Sequence, residues 1–236
     1  MKNFINKKFE MICCTLVALI IFNLLISVQT ITEAGARIQN KATVLIDVGH
    51  GGEDGGAVGV DGITEKNLNL SISLILRETL VRNGYNVIMT REDDVDLSDD
   101  NLNSVSERKK SDMYKRIEII NNSKADIAIS IHQNYFEQSQ YKGLQTFYSN
   151  ENSKSLAELI QKIVVEDLQN DNNRLAKQVD EKFLLNNSKI PMLIVECGFI
   201  SNAEEANLLK DELYQIELAT CIYKGIDIYC SQYLSF

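Results

Sequence analysis

Three apolar runs in this chain each lead to a residue that has no place in a hydrophobic core. "ATVLIDV" leads through Asp47 to His50, "ADIAISI" to His132, and "PMLIV" to Glu196. Short continuous runs rich in Val and Ile, bounded by glycine or polar residues, predict buried strands. "YNVIMTR" and "GLQTFYS" predict two more. Between the strands the apolar period changes to that of a helix. Leu68, Ile72, Ile75, Leu76 and Leu80 predict a helix from Glu65 to about Asn83, with Thr64 as its cap and Gly84 as its stop. Further helices are predicted over Glu107–Ser123, Ser153–Asn170 and from Ala203 to the C-terminus, with a long acidic loop over Glu92–Ser106. Strands alternating with helices imply an α/β fold: a mostly parallel, mixed central sheet flanked by helices on both faces.

In open α/β sheets, ligands bind at the carboxyl ends of the strands. If the three runs are parallel, His50, His132 and Glu196 converge there, and both histidines of the chain meet at one place. Two imidazoles and a carboxylate suit a catalytic zinc, which takes three protein ligands and keeps a fourth position open. Glu65, which opens the helix after the glycine loop, is the best third ligand. Glu53, Asp54 and Asp61 remain its rivals on spacing alone. Glu196 has a separate role available, accepting a proton from water and passing it to a leaving nitrogen; an ion pair or a fourth ligand would also explain it. Cys197 beside it raises a thiol-protease alternative, but no basic surroundings favour a thiolate. The glycines from Gly51 to Gly59 are expected to keep the rim of the site low, and they lack the Lys-Ser/Thr ending of a phosphate-binding loop.

A net charge of -9 argues against general affinity for nucleic acid. Cys13 and Cys14 lie in an apolar leader, and Cys197, Cys221 and Cys230 are too scattered and odd in number for a disulfide framework. The leader itself, Lys2, Lys7 and Lys8 followed by an apolar run from Met11 to Val28, reads as a signal peptide or an N-terminal membrane anchor with its linker, residues 1–36. Either way the remainder, residues 37–236, is expected outside the cytoplasm as one catalytic domain.

The ordered motifs resemble those of the zinc-dependent N-acetylmuramoyl-L-alanine amidases of the amidase-3 type. "IDVGHGGEDGGAVGVDGITEKNLNL" is similar to the family's opening Asp-Pro-Gly-His-Gly-Gly and following Glu-Lys, "ADIAISIHQN" to its Ser-Ile-His-x-Asn, and "PMLIVECGFISNAEEANLL" to its Val-Glu-x-Gly-Phe-x-Ser-Asn. The resemblance implies zinc (Zn2+) on His50, Glu65 and His132, with Glu196 as the catalytic glutamate, and so selects Glu65 over the loop aspartates. It implies a peptidoglycan substrate cut between N-acetylmuramic acid and L-alanine. "SDMYKRIEIINNSKADIAISIHQN" and "GLQTFYSNENSKSLAELIQ" are most similar to amidases that form muramic-δ-lactam in the spore cortex for germination. Two departures are Val48 for proline and Gln133 for the common alanine, the latter expected to narrow or tune the substrate groove. Asn134 could bind substrate or cap the turn. Two rival functions stay open: a zinc peptidase acting within the stem peptide, and a wall-binding module that needs an activator protein.

Overall fold

A computed structural model describes residues 19–24 and 41–234. Contacts divide the chain into residues 1–41 and residues 42–236. In the first unit residues 19–24 are helical and exposed. Most of the apolar leader lies outside the described residues, and among these no helix is long and apolar enough to cross a membrane.

The second unit holds one six-stranded sheet. Its strands are β1 (Thr43–Val48), β2 (Asn86–Met89), β3 (Ile127–Asn134), β4 (Gln145–Tyr148), β5 (Lys177–Gln178) and β6 (Met192–Phe199), in the order β2-β1-β3-β6-β4-β5. The first four in that order are parallel; β4 runs antiparallel to β6, and β5 is parallel to β4. This is the mixed, mostly parallel sheet that the sequence predicts. The helices are α1 (Glu65–Arg82), α2 (Val105–Asn122), α3 (Glu151–Asp167), α4 (Phe183–Asn187), α5 (Ala203–Lys210) and α6 (Glu212–Tyr233).

The side-chain period of a strand is two, so each central strand feeds two cores. Val44, Ile46 and Val48 of β1, Ile127, Ile129 and Ile131 of β3, and Leu193, Val195 and Cys197 of β6 join one core with α1, α3 and α6. Their alternates Leu45, Ala128, Met192 and Ile194 join a smaller core with Ile117 and Ile120 of α2 and Leu184 and Leu185 of α4. On this thinly covered face the same alternation continues into Asp47, Ser130, His132 and Glu196. Register pairs Asp47 with Ser130 and His132 with Glu196. The functional side chains thus occupy the ends of rows whose earlier members are core.

Several local expectations are corrected. Thr64 stands at the N-cap of α1, yet its hydroxyl makes no capping bond and is buried without a partner. Asn83 and Gly84, with φ of 85°, do end that helix. α2 starts before Glu107 because Ser104 caps it: its Oγ accepts from the Glu107 amide and donates to the Glu107 carboxylate. α3 likewise starts before Ser153, on an Asn150 side chain that accepts from the Ser153 amide, and it ends at Asp167 rather than Asn170. β5 and α4 are too short to leave a periodic signal.

Candidate active site

His50 sits two residues past the end of β1, in the left-handed region at φ 60°. That conformation is uncommon without glycine and is held only where surroundings fix it. Here two arginines fix it. Arg91 Nε and Arg116 Nη2 donate to the His50 carbonyl at 2.6 and 2.7 Å, and Arg91 Nη2 donates to that of Gly49. Arg116 also donates to the Val48 carbonyl and pairs with Asp47 and Asp112. Asp47 is wholly buried, accepting from Arg116, Ser130 and Thr90.

Glu65 is the first residue of α1 and is 4 % exposed. Its carboxylate lies between the imidazoles, with Oε2 3.1 Å from His50 Nε2 and Oε1 2.9 Å from His132 Nδ1. Backbone amides hold both oxygens: Ala57 donates to Oε2 and Gln133 to Oε1. One ligand atom from each of His50, Glu65 and His132 falls within 4.8 Å of the others, a set that could hold a metal ion. Asp54 supports the set from behind. Its Oδ2 is 2.7 Å from His50 Nδ1; an ionised carboxylate only accepts, so Nδ1 carries a proton, and Nε2, facing Glu65, is the nitrogen a metal would take by displacing its proton.

The charge distribution favours a cation at this point. Burial alone would lower the His50 pKa, but the hydrogen bonds to Asp54 and Glu65 outweigh it and raise it to about 9. Burial would raise the Glu65 carboxyl, yet the two histidines hold it well below the carboxylate range. Both shifts report two carboxylates facing two imidazoles, which is the donor chemistry of a zinc site. Glu196 differs. Burial pushes its carboxyl above the ordinary value, with Glu65 adding to the rise and His132 opposing it. Its Oε2 is buried with no hydrogen-bond partner. It shares with His50 and His132 a cavity of about 280 Å³, roofed by α2 and α4.

The sequence profile of the N-acetylmuramoyl-L-alanine amidase family, Amidase_3, matches residues 44–227. The chain belongs to this family. It is 40% identical over 186 residues to the germination-specific N-acetylmuramoyl-L-alanine amidase of Bacillus subtilis, covering 78% of this chain and 77% of that one. The fold matches the CwlD amidase of Clostridioides difficile, solved in complex with the GerS lipoprotein, at a TM-score of 0.78 and 43% identity over 80% of this chain and 98% of that one. It also matches the amidase AmiC2 of Nostoc punctiforme at a TM-score of 0.70 and 26% identity, over 82% and 99% of the two chains.

Within this amidase domain the rivals of Glu65 have other partners. Asp54 bonds His50 and Lys109, Glu53 pairs with Arg108, and Asp61 faces Lys210. Gln133 does not reach the groove. It follows His132 by one residue, so it points through the opposite face of the sheet, where it is buried and donates to Asn69. Asn134 caps the turn, accepting from the Tyr135 amide. Cys197 is fully buried beside the site, and burial pushes its thiol far up, so it is no nucleophile.

The glycine loop is also not simply a low rim. A Cβ on Gly49 would stand 2.5 Å from the His132 ring, and one on Gly56 2.6 Å from Glu65 Oε2. These glycines let the backbone press against the histidine and glutamate side chains; only Gly55 and Gly62 among the loop's glycines face open space. Sequence reasoning missed Arg91 and Arg116 altogether. Their one signal was a positive charge facing a strand end that carries a buried-type aspartate.

Proposed function

We propose that this chain is a zinc-dependent hydrolase that cleaves the amide between the lactyl group of N-acetylmuramic acid and the L-alanine of the peptidoglycan stem peptide. The observation that carries the reading is the convergence of His50, Glu65 and His132 within 4.8 Å, at a cavity that the two histidines line together with Glu196. His50, Glu65 and His132 would hold the zinc, whose chemistry is to polarise the scissile carbonyl and ease deprotonation of water. Asp54 holds a proton on His50 Nδ1 and so leaves Nε2 as the nitrogen for the metal, and the Ala57 and Gln133 amides fix the Glu65 carboxylate. Glu196 takes a proton from the attacking water and hands it to the departing alanine nitrogen. Its raised pKa suits the first half of that transfer, because a carboxylate of higher pKa is the stronger base toward the water proton.

Relatedness to the germination-specific amidase of Bacillus subtilis supports a substrate in the spore cortex, muramic-δ-lactam formation there, and a need for the enzyme in germination. The basic, then apolar, leader supports export across the cytoplasmic membrane, as a cleaved signal peptide or a retained anchor. The relative solved with a lipoprotein supports an accessory protein as a further partner of this chain.

The test is zinc-loaded full chain acting on purified peptidoglycan, with and without host extract, and products identified by mass. An amidase frees the amine of L-alanine and leaves an intact muramoyl lactyl group. New amines from within the stem would replace this reading by a peptidase. No product in either condition would leave a wall-binding module.

A further inference from the structure

The cavity over the site is lined by three cationic side chains besides the histidines, and two are already used. Arg116 is paired with Asp47 and Asp112, and Lys109 with Asp54 at 2.9 Å. The third, Lys182, has an ammonium with no ion-pair or hydrogen-bond partner among the described residues, although it lines the same space as His132 and Glu196. Lys182 is exposed, so its ammonium stands at the mouth of the cavity and is open to a ligand. It is also held in place. Lys182 immediately precedes α4, whose Leu184 and Leu185 are buried in the smaller core. Phe183 packs edge-on against Tyr114 of α2 at 5.1 Å, and Ser149 Oγ donates to the Leu185 carbonyl. The turn that carries the lysine is therefore pinned from both sides, and only the long side chain is free to adjust.

With Glu196 on the leaving-group side of the scissile amide, as the amidase reading has it, the departing peptide would lie in the part of the cavity that Glu196 and Lys182 both line. The cavity is small for a ligand site, near the lower end of the usual range. It has room for the first residues of that peptide only. We infer that Lys182 is a specificity-determining residue that binds a free carboxylate on the stem peptide, on the residue following L-alanine. This rests on the amidase reading for the direction in which the peptide lies. A charge-assisted bond from an ammonium to a carboxylate is among the stronger polar contacts, and an amide in the same place cannot supply it.

The test compares two peptides that begin with L-alanine and differ only in a free carboxylate or a primary amide on the second residue. Binding of each to the zinc-loaded full chain in mild detergent is measured by calorimetry. Turnover of the corresponding muramoyl peptides gives kcat and KM separately. The unaltered chain should prefer the carboxylate roughly tenfold, in Kd and in KM rather than kcat. Lys182→Met should collapse that preference to about one, and Lys182→Arg should restore most of it. Equal weakening for both peptides would overturn the inference and make Lys182 a neighbour that acts on Glu196 instead. An undiminished preference in Lys182→Met would overturn it outright. A lysine-dependent preference in binding without release of alanine amines would leave the inference standing and defeat the amidase reading.

Discussion

At the residue scale, the two site carboxylates do different work because their surroundings differ. Glu65 has both oxygens tied by amides and imidazoles, whereas Glu196 is buried with one oxygen free. Glu196→Gln keeps the shape and removes the proton carrier. Zinc content should stay near that of the unaltered protein by metal analysis, while release of alanine amines falls by about 10²–10⁴-fold. Near-normal rates would remove Glu196 from the reaction. Two neighbouring glycines make a sharper contrast. Gly56 has φ of 66°, and a Cβ there meets Glu65 and His50, whereas a Cβ on Gly55 meets nothing within 4 Å. Gly56→Ala should cost more than about 1 kcal/mol and lower zinc occupancy; Gly55→Ala should do neither. Urea unfolding alongside metal analysis of the two variants checks both halves, and equal behaviour would mean that the loop yields more easily than its contacts indicate.

At the element scale, α2 covers the site, and one of its side chains ties it to β1. Arg116 reaches from α2 to the end of β1, pairs with buried Asp47 and bonds the carbonyls of Val48 and His50. Removing one partner of a buried ion pair is costly, so Arg116→Ala should destabilise by about 3–5 kcal/mol, read from the denaturation midpoint. The same pair sets an acid limit. Burial alone would raise the Asp47 carboxyl, but Arg116, Ser130 and His132 hold it below the usual range. A lowered folded pKa contributes stability above the unfolded value of about 4, and that stability is lost as pH falls through the folded value. Unfolding free energy should therefore decline below about pH 4, and less steeply in Asp47→Asn, which has no proton to take up. This helix was the least legible part of the sequence. The strands were plain because "VLID", "ISIH" and "IVEC" belong to short, continuous, mostly apolar runs, and the strand period with the sheet register puts Asp47, His132 and Glu196 on one face. α2 reads as a polar surface helix, "SERKKSDMYKR", and nothing in its spacing says that one arginine is 1 % exposed. Gln133 was misplaced for the opposite reason: the motif drew attention to the groove, while the strand period sends the neighbour of His132 to the other core.

At the scale of the whole molecule, the metal set joins parts of the chain that are far apart in sequence. His50 follows β1, Glu65 opens α1, and His132 is the sixth residue of β3. No segment of the unfolded chain offers the three donors together, so zinc held by this set would bind the folded state in preference and should stabilise the domain as a whole. At zinc a hundredfold above its dissociation constant, the gain is about 2.7 kcal/mol. For a domain of this size that corresponds to a rise in Tm of roughly 5–10 °C over chelator-treated protein. The rise should be reversible and should shrink sharply in His132→Ala, which leaves Glu65 with one imidazole. Scanning calorimetry with chelator, then with zinc restored, provides the measurement. A Tm indifferent to zinc in the unaltered protein would mean that these residues do not take the metal unaided, and would move the weight to the accessory protein.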